Sequence, residues 1–194
     1  METKEKLLQT SFQCFLEHGY EKASISKITE QCNITKGAFY HHFKTKEEVF
    51  LAVMNSYFYE VEKWIREKIY SSEDMKTMIP RILDYPGYFE DMKFAANINE
   101  KHYILLLNAM RRFPEFKKKV ANIYSGSMDL FCQRVREAQI NGEIRKDIDA
   151  DSLAVHIFSL AEGFILMVVL LDDISKIKEE GAKISAGLWD MIKR

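Results

Sequence analysis

The sequence predicts an all-α protein in two parts: a three-helix N-terminal module and a larger helical C-terminal domain. Three observations carry this prediction. The 194 residues include only three prolines and eight glycines, few breakers for a chain of this length. Apolar residues recur at the three-and-four spacing of a helix face, and strand-like alternation is hard to find. Polar punctuation at Ser24, Asn33 and Thr35 divides the first fifty residues into short helices and tight turns. With 47% hydrophobic residues the chain can bury a sizeable core.

The first helix is expected over residues 3–18, where Leu7, Leu8, Phe12, Phe15 and Leu16 form an i, i+4, i+8 stripe, and Gly19 stands ready as the stop. Ser24 is a good N-cap for a second helix, its hydroxyl placed to accept an orphan backbone N–H. Ile25 and Ile28 give that helix an inward face and Cys32 closes it. At Asn33 the chain must turn sharply, and Asn tolerates the left-handed conformation better than any residue but Gly. Thr35 can cap a third helix over residues 36–43. Phe39 and Phe43, four apart, anchor one face of it. Lys36, Tyr40, His41 and His42 are left for other directions.

Two short helices joined by a tight turn are the plan of a DNA-reading helix-turn-helix. The formal net charge of −1 argues against a generally basic protein, so contact with nucleic acid must come from a local patch. Residues 35–46 supply one, with Lys36, Lys44 and Lys46 and no acidic residue. His41 and His42 add charge if phosphate raises their pKa. A short lysine run alone is as well read as a solvated face. Its place on the helix-turn-helix favours DNA.

Residues 4–53 resemble the N-terminal domain of the TetR family of transcriptional repressors. The resemblance rests on Phe15, Gly19-Tyr20, Ala23-Ser24-Ile25, Ile28, the run Ile34-Thr35-Lys36-Gly37-Ala38-Phe39-Tyr40-His41-His42-Phe43, and Lys46-Glu47. Asn33 stands where the family usually has Gly, and Thr29 where it usually has Ala. By that resemblance Thr35, Lys36, Gly37 and His41 contact bases or groove, and Ser24, Lys27, Tyr40, His42 and Lys46 contact the DNA backbone. Gly37 would let the helix approach closely.

The remaining chain reads as helices. One begins near Thr45, with Glu47 and Glu48 favouring its first turn, and runs to about residue 69 as a lever toward the second domain. Beyond Ser71-Ser72 the pattern loosens, and Pro80 and Tyr85-Pro86-Gly87 are expected to break any continuous helix. Further helices are expected over residues 99–112, 114–141, 149–172 and 174–193. The domains are accordingly set at 1–46, the reader, and 47–194, a helical ligand-binding and dimerisation domain.

Residues 85–131 concentrate aromatics and methionines, which suit a small-molecule pocket with a few polar groups. Tyr88, Phe89, His102, Tyr103, Met110, Phe131 and Glu162 are the candidate ligand-binding residues. For each the competing reading is ordinary core. The resembled family binds a small, often hydrophobic effector in this domain, and binding shifts the spacing of two DNA readers in a dimer. Leu153, Ile157, Leu160, Phe164, Met167, Val168 and Leu171, with Ile184, Leu188, Trp189 and Ile192, offer two apolar faces for a four-helix dimer interface. Alternatively both close over the protomer's own core.

Catalysis has little support. There is no Gly-rich phosphate loop, G-x-S-x-G elbow or H-E-x-x-H. His41 and His42 are adjacent, so on a helix they diverge by about 100° and chelate poorly; neither metal nor cofactor is expected. Cys14, Cys32 and Cys132 include no C-x-x-C pair and fit buried, reduced thiols. The N-terminus lacks the apolar run of a signal peptide, and the longest apolar run, residues 163–171, is too short to span a bilayer. The expectation is a cytoplasmic, effector-responsive homodimer that binds double-stranded operator DNA. The alternative is a helical small-molecule binding protein or enzyme without DNA-binding activity.

Overall fold

The computed structural model describes residues 3–83, 100–171 and 174–194. Among these the chain is helical, and its only strand-like pairing is a single antiparallel bridge between Ile144 and Lys193. The helices are α1 (Thr3–Lys22), α2 (Ile25–Cys32), α3 (Lys36–His42), α4 (Lys46–Trp64), α5 (Met75–Leu83), α6 (Glu100–Arg112), α7 (Pro114–Asn141), α8 (Ala150–Leu171) and α9 (Ile174–Ile192). Two compact units result: Met1–Val61 with Lys93–Val120, and Glu62–Met92 with Ala121–Arg194.

Local sequence accounts for the boundaries of the first unit. Gly19 interrupts α1 with φ 71° and ψ 164°, a conformation open essentially to Gly alone, so the helix breaks there before a last short turn to Lys22. The Ser24 hydroxyl accepts the Lys27 N–H at 3.2 Å and starts α2. At its end Asn33 is left-handed (φ 55°, ψ 49°). There the Asn33 N–H reaches the Glu30 carbonyl and the Ile34 N–H the Thr29 carbonyl, each at 3.0 Å, the paired bonds of a Schellman stop. Thr35 accepts the Ala38 N–H at 3.1 Å and starts α3. Thr45 accepts the Glu48 N–H at 3.0 Å, and the Glu48 carboxylate reaches back to the Lys44 N–H at 2.6 Å, a reciprocal cap on α4.

Behind these helices lies an aromatic core. Phe12, Phe15, Phe39, Phe50, Ile28 and Met54 are fully buried. Phe15 and Phe50 meet edge-to-face with centroids 4.9 Å apart, and Tyr20 lies 4.7 Å from Phe50. Removing one such ring to the Cβ costs about 3–5 kcal/mol. The stripe expected from α1 therefore does pack across the reader, and α6 joins the same unit against α1.

In the second unit α5, α8 and α9 pack together, around Met78, Ile79 and Leu83 of α5 and Ile157 and Leu188 of α8 and α9. Phe131 of α7 is fully buried too and meets Phe158 of α8 edge-to-face at 5.8 Å.

Two expectations about helix continuity are corrected. Pro80 does not break the chain but sits inside α5 on its exposed side, where the missing N–H forfeits one bond to a carbonyl of exposed Lys76 that water can satisfy. The long fourth helix ends at Trp64 and continues as a π-helical turn, Ile65–Ile69. Hydropathy spacing does not distinguish a wider turn of that kind.

The proposed dimer faces divide. Leu153, Ile157, Phe164, Leu188 and Ile192 are buried within their own protomer, so that part of each stripe closes over the unit's core. Leu160, Met167 and Ile184 remain exposed, joined by Val155, Leu166, Leu170 and Met191. Residues 85–94, which hold Tyr88 and Phe89 of the candidate pocket, lie outside the described residues.

Candidate nucleic-acid interface

Helix α3 is short, capped and anchored from behind. Phe39 is fully buried and Phe43 nearly so, which fixes the rotation of the helix and turns the opposite face outward. Positions 36, 37, 40 and 41 share that face. Lys36, Gly37, Tyr40 and His41 are all exposed, Tyr40 by 51% although it is a large aromatic. Its ring leans edge-on against Phe39 with centroids 5.6 Å apart, so a rigid base carries a free phenolic hydroxyl. His42 is half-buried, its ring 5.3 Å from that of His41.

The hydroxyls in the expected DNA set have a structural duty as well. Ser24 and Thr35 are exposed and each caps a helix. A capping oxygen can still donate its own O–H outward, so both duties are compatible with one phosphate or base contact. Lys27 is exposed on the first turn of α2. A cation there stands near a helix N-terminus, which costs a little by dipole repulsion; an external anion would relieve it.

Lys46 is held differently. Its Nζ donates to the carbonyls of Tyr20 at 3.0 Å, Ala23 at 3.2 Å and Glu21 at 3.4 Å. It also stands 4.4 Å from the centroid of the Tyr20 ring. The Arg112 guanidinium from α6 stands 4.3 Å from the same centroid and pairs with Glu21 at 2.7 Å. The Tyr20 hydroxyl donates to Glu47 at 2.8 Å. Burial, then the Glu47 carboxylate, push the Tyr20 phenol up to about 12, while the bond from Tyr20 holds the Glu47 carboxyl below its usual range. The sequence matches Tyr20 to the family without implying a role for it, and gives no sign of Arg112. Tyr20 had a signal in its place after Gly19; Arg112 lies 91 residues from Glu21 and had none.

The described candidate ligand residues divide between the two units. His102, Tyr103 and Met110 lie on α6. His102 is buried against Phe12, centroids 5.6 Å apart, and so serves the core of the first unit. Tyr103 and Met110 are half-buried. Phe131 and Glu162 belong to the second unit, Phe131 fully buried. Glu162 is half-buried and accepts a bond from the Tyr124 hydroxyl at 2.7 Å. Burial pushes its carboxyl up, against the opposing pull of Tyr124.

All three cysteines are free and buried. Burial pushes the Cys14 thiol up, and burial with the nearby Asp151 pushes Cys132 up to about 11, so both stay protonated at neutral pH. Among the described residues no group of three His, Cys, Asp or Glu could hold a metal ion, and no helix is long and apolar enough to cross a membrane.

Comparison with known proteins agrees with this geometry in both parts of the chain. The family model for bacterial regulatory proteins of the tetR family matches residues 7–53, and that for the tetracyclin repressor-like C-terminal domain matches residues 106–180. The HTH-type transcriptional repressor AcnR of Corynebacterium efficiens is 24% identical over 84% of this chain and 80% of its own length. A TetR transcriptional regulator from Chloroflexus aurantiacus shares the fold at a TM-score of 0.77, with 21% identity over 98% of this chain and 96% of its own. A regulator from Saccharomonospora viridis, solved in complex with choline, superposes at 0.73 with 15% identity over 93% of each chain. With a capped reader at one end and the family's C-terminal domain at the other, the chain belongs to the TetR family of bacterial transcriptional regulators.

Proposed function

We propose that this protein represses transcription by binding a palindromic operator as a homodimer, and that a small hydrophobic effector releases it. The observation that carries the reading is α3: a doubly anchored short helix presenting Lys36, Gly37, Tyr40 and His41 to solvent on one face. Lys36 and His41 offer donors to guanine O6 and N7 in a major groove, and Thr35 can serve either base type. Ser24, Lys27, Tyr40 and His42 hold the register through phosphates and carry no sequence information themselves. Gly37 leaves the centre of the face open for close approach.

Dimerisation supplies two readers one helical turn of DNA apart, as a two-fold palindrome requires. The exposed apolar side chains Val155, Leu160, Leu166, Met167 and Leu170 on α8, with Ile184 and Met191 on α9, are the surface that fits this role. The effector is read by the helical domain, with Glu162, which accepts a bond from Tyr124, as a polar contact within the second unit. Its binding would displace α4, alter the separation of the readers and lower operator affinity through a difference in affinity between two states. A DNA-bound regulator of this kind works in the cytoplasm.

The test is binding of the full-length protein to DNA from its own upstream region, then to a genomic DNA pool, with Tyr40→Ala as control. A specific, salt-sensitive complex lost in the variant supports the reader. No specific complex with either source would favour a DNA-independent helical carrier or enzyme.

A further inference from the structure

We propose that Lys46 and Arg112 govern operator binding as a clamp on Tyr20, holding the turn between α1 and α2 so that α2 and α3 meet DNA as one rigid piece, and that Lys46 contacts no phosphate. The proposal rests on the DNA-reading role above and assigns these side chains a positioning role within it.

The turn needs such a clamp because Gly19 leaves the regular helix. The Ala23 N–H bonds the Gly19 carbonyl at 3.1 Å and closes the short turn that follows. The carbonyls of Tyr20, Glu21 and Ala23 face the end of a helix, where negative partial charge accumulates. An ammonium has three protons, and Lys46 lies within reach of three carbonyls. Reaching for a phosphate would leave those carbonyls without it. The Tyr20 ring then carries the turn's only large side chain into the core, against Phe15 and Phe50. Its remaining groups are gripped from two helices: Glu47 on α4 takes the hydroxyl, and Arg112 on α6 stands over the ring and pairs with Glu21. Ser24, the N-cap of α2, is the residue after Ala23. A shift of this turn therefore shifts the start of the helix-turn-helix directly.

A phosphate contact and a positioning contact differ in one observable. Removing a cation from a phosphate lowers the slope of log Kd against log salt by about 1, whereas a positioning change weakens binding at every salt concentration equally. The experiment measures operator affinity of the full-length protein across a salt series for wild type, Lys46→Gln, Lys46→Met, Arg112→Met, Arg112→Lys and, as reference, Lys36→Met. Lys46→Gln can still donate to carbonyls and serves should Lys46→Met not fold. The expected result is binding weakened about fivefold to fiftyfold in Lys46→Met and Arg112→Met, with the wild-type slope kept, partial recovery in Arg112→Lys and Lys46→Gln, and a slope reduced by about 1 only in Lys36→Met. A slope reduced by that amount in either Lys46 variant, or wild-type affinity in Arg112→Met, overturns the proposal.

A second reading needs no DNA. Amide hydrogen exchange of residues 20–24 should quicken in Lys46→Gln and Arg112→Met while α8 and α9 exchange as in wild type; unchanged exchange at 20–24 overturns the clamp. Should wild type form no specific complex, the repressor reading fails and the exchange measurement alone decides the clamp.

Discussion

Gly37→Ala should raise the stability of this protein and lower its affinity for DNA. Gly37 is the second residue of α3, with an ordinary helical backbone; among the described residues the positive-φ glycines are Gly19 and Gly142. A Cβ built there meets nothing closer than the Thr35 Oγ1 at 3.7 Å, an ordinary van der Waals distance. The protein thus has no internal need for glycine at this position, and Ala gains helix propensity and restricts the unfolded chain. The gain is about 0.5–1 kcal/mol, or roughly 1–4 °C in Tm for a chain of this size. The added methyl points from the exposed face shared with Lys36, Tyr40 and His41, where it holds the helix away from the groove. A loss of even two good contacts lowers affinity about tenfold or more, since about 1.4 kcal/mol corresponds to one decade. Differential scanning calorimetry and fluorescence anisotropy with labelled operator measure the two effects separately. A variant that binds operator as tightly as wild type would refute the assignment of this face to DNA; one that melts lower would refute the packing argument.

Other residues give independent tests. Gly19→Ala has open space for its Cβ and suffers only from the backbone, so urea unfolding should show a loss of about 1–3 kcal/mol at unchanged m-value. At Asn33, held left-handed, Ala should cost about 1 kcal/mol by the same assay while Gly is neutral or slightly stabilising. Because Tyr20 ionises at about 12 in the fold and near 10 unfolded, its contribution is intact below pH 10 and lost as pH rises toward 12. Thermal melts of Tyr20→Phe should accordingly show a shallower alkaline decline than wild type. Glu162 has a raised carboxyl pKa in the fold, so the fold binds its proton more tightly and stability falls as pH climbs from the unfolded value through the folded one. Glu162→Gln, which still accepts from Tyr124, should melt higher than wild type at pH 7 and lose that component of the pH dependence.

Much of the reader was legible in the sequence because its determinants are local. Ser24, Asn33 and Thr35 act on backbone groups within three or four residues, and Phe39 and Phe43 orient α3 by spacing alone. The same locality placed α6 to α9 nearly to the residue, since Pro114, Asn141-Gly142 and Asp149 mark ends by their own geometry. Where the sequence misled, a competing local effect won. Pro80 is tolerated because its lost bond faces solvent, and the π-turn at 65–69 leaves no trace in a pattern of apolar residues.

What the sequence by itself determined is the class of protein: capping chemistry, helical period and the ordered positions that match the family suffice, because each is a short-range property of the chain. Only the tertiary structure decided which apolar residues close the protomer's core and which stay exposed, since one stripe on α8 contains both Ile157 and Leu160. It alone also decided that Lys46 points inward to three carbonyls and that Arg112 meets Tyr20. Those contacts join residues dozens of positions apart, and their existence depends on how helices pack rather than on what any helix contains.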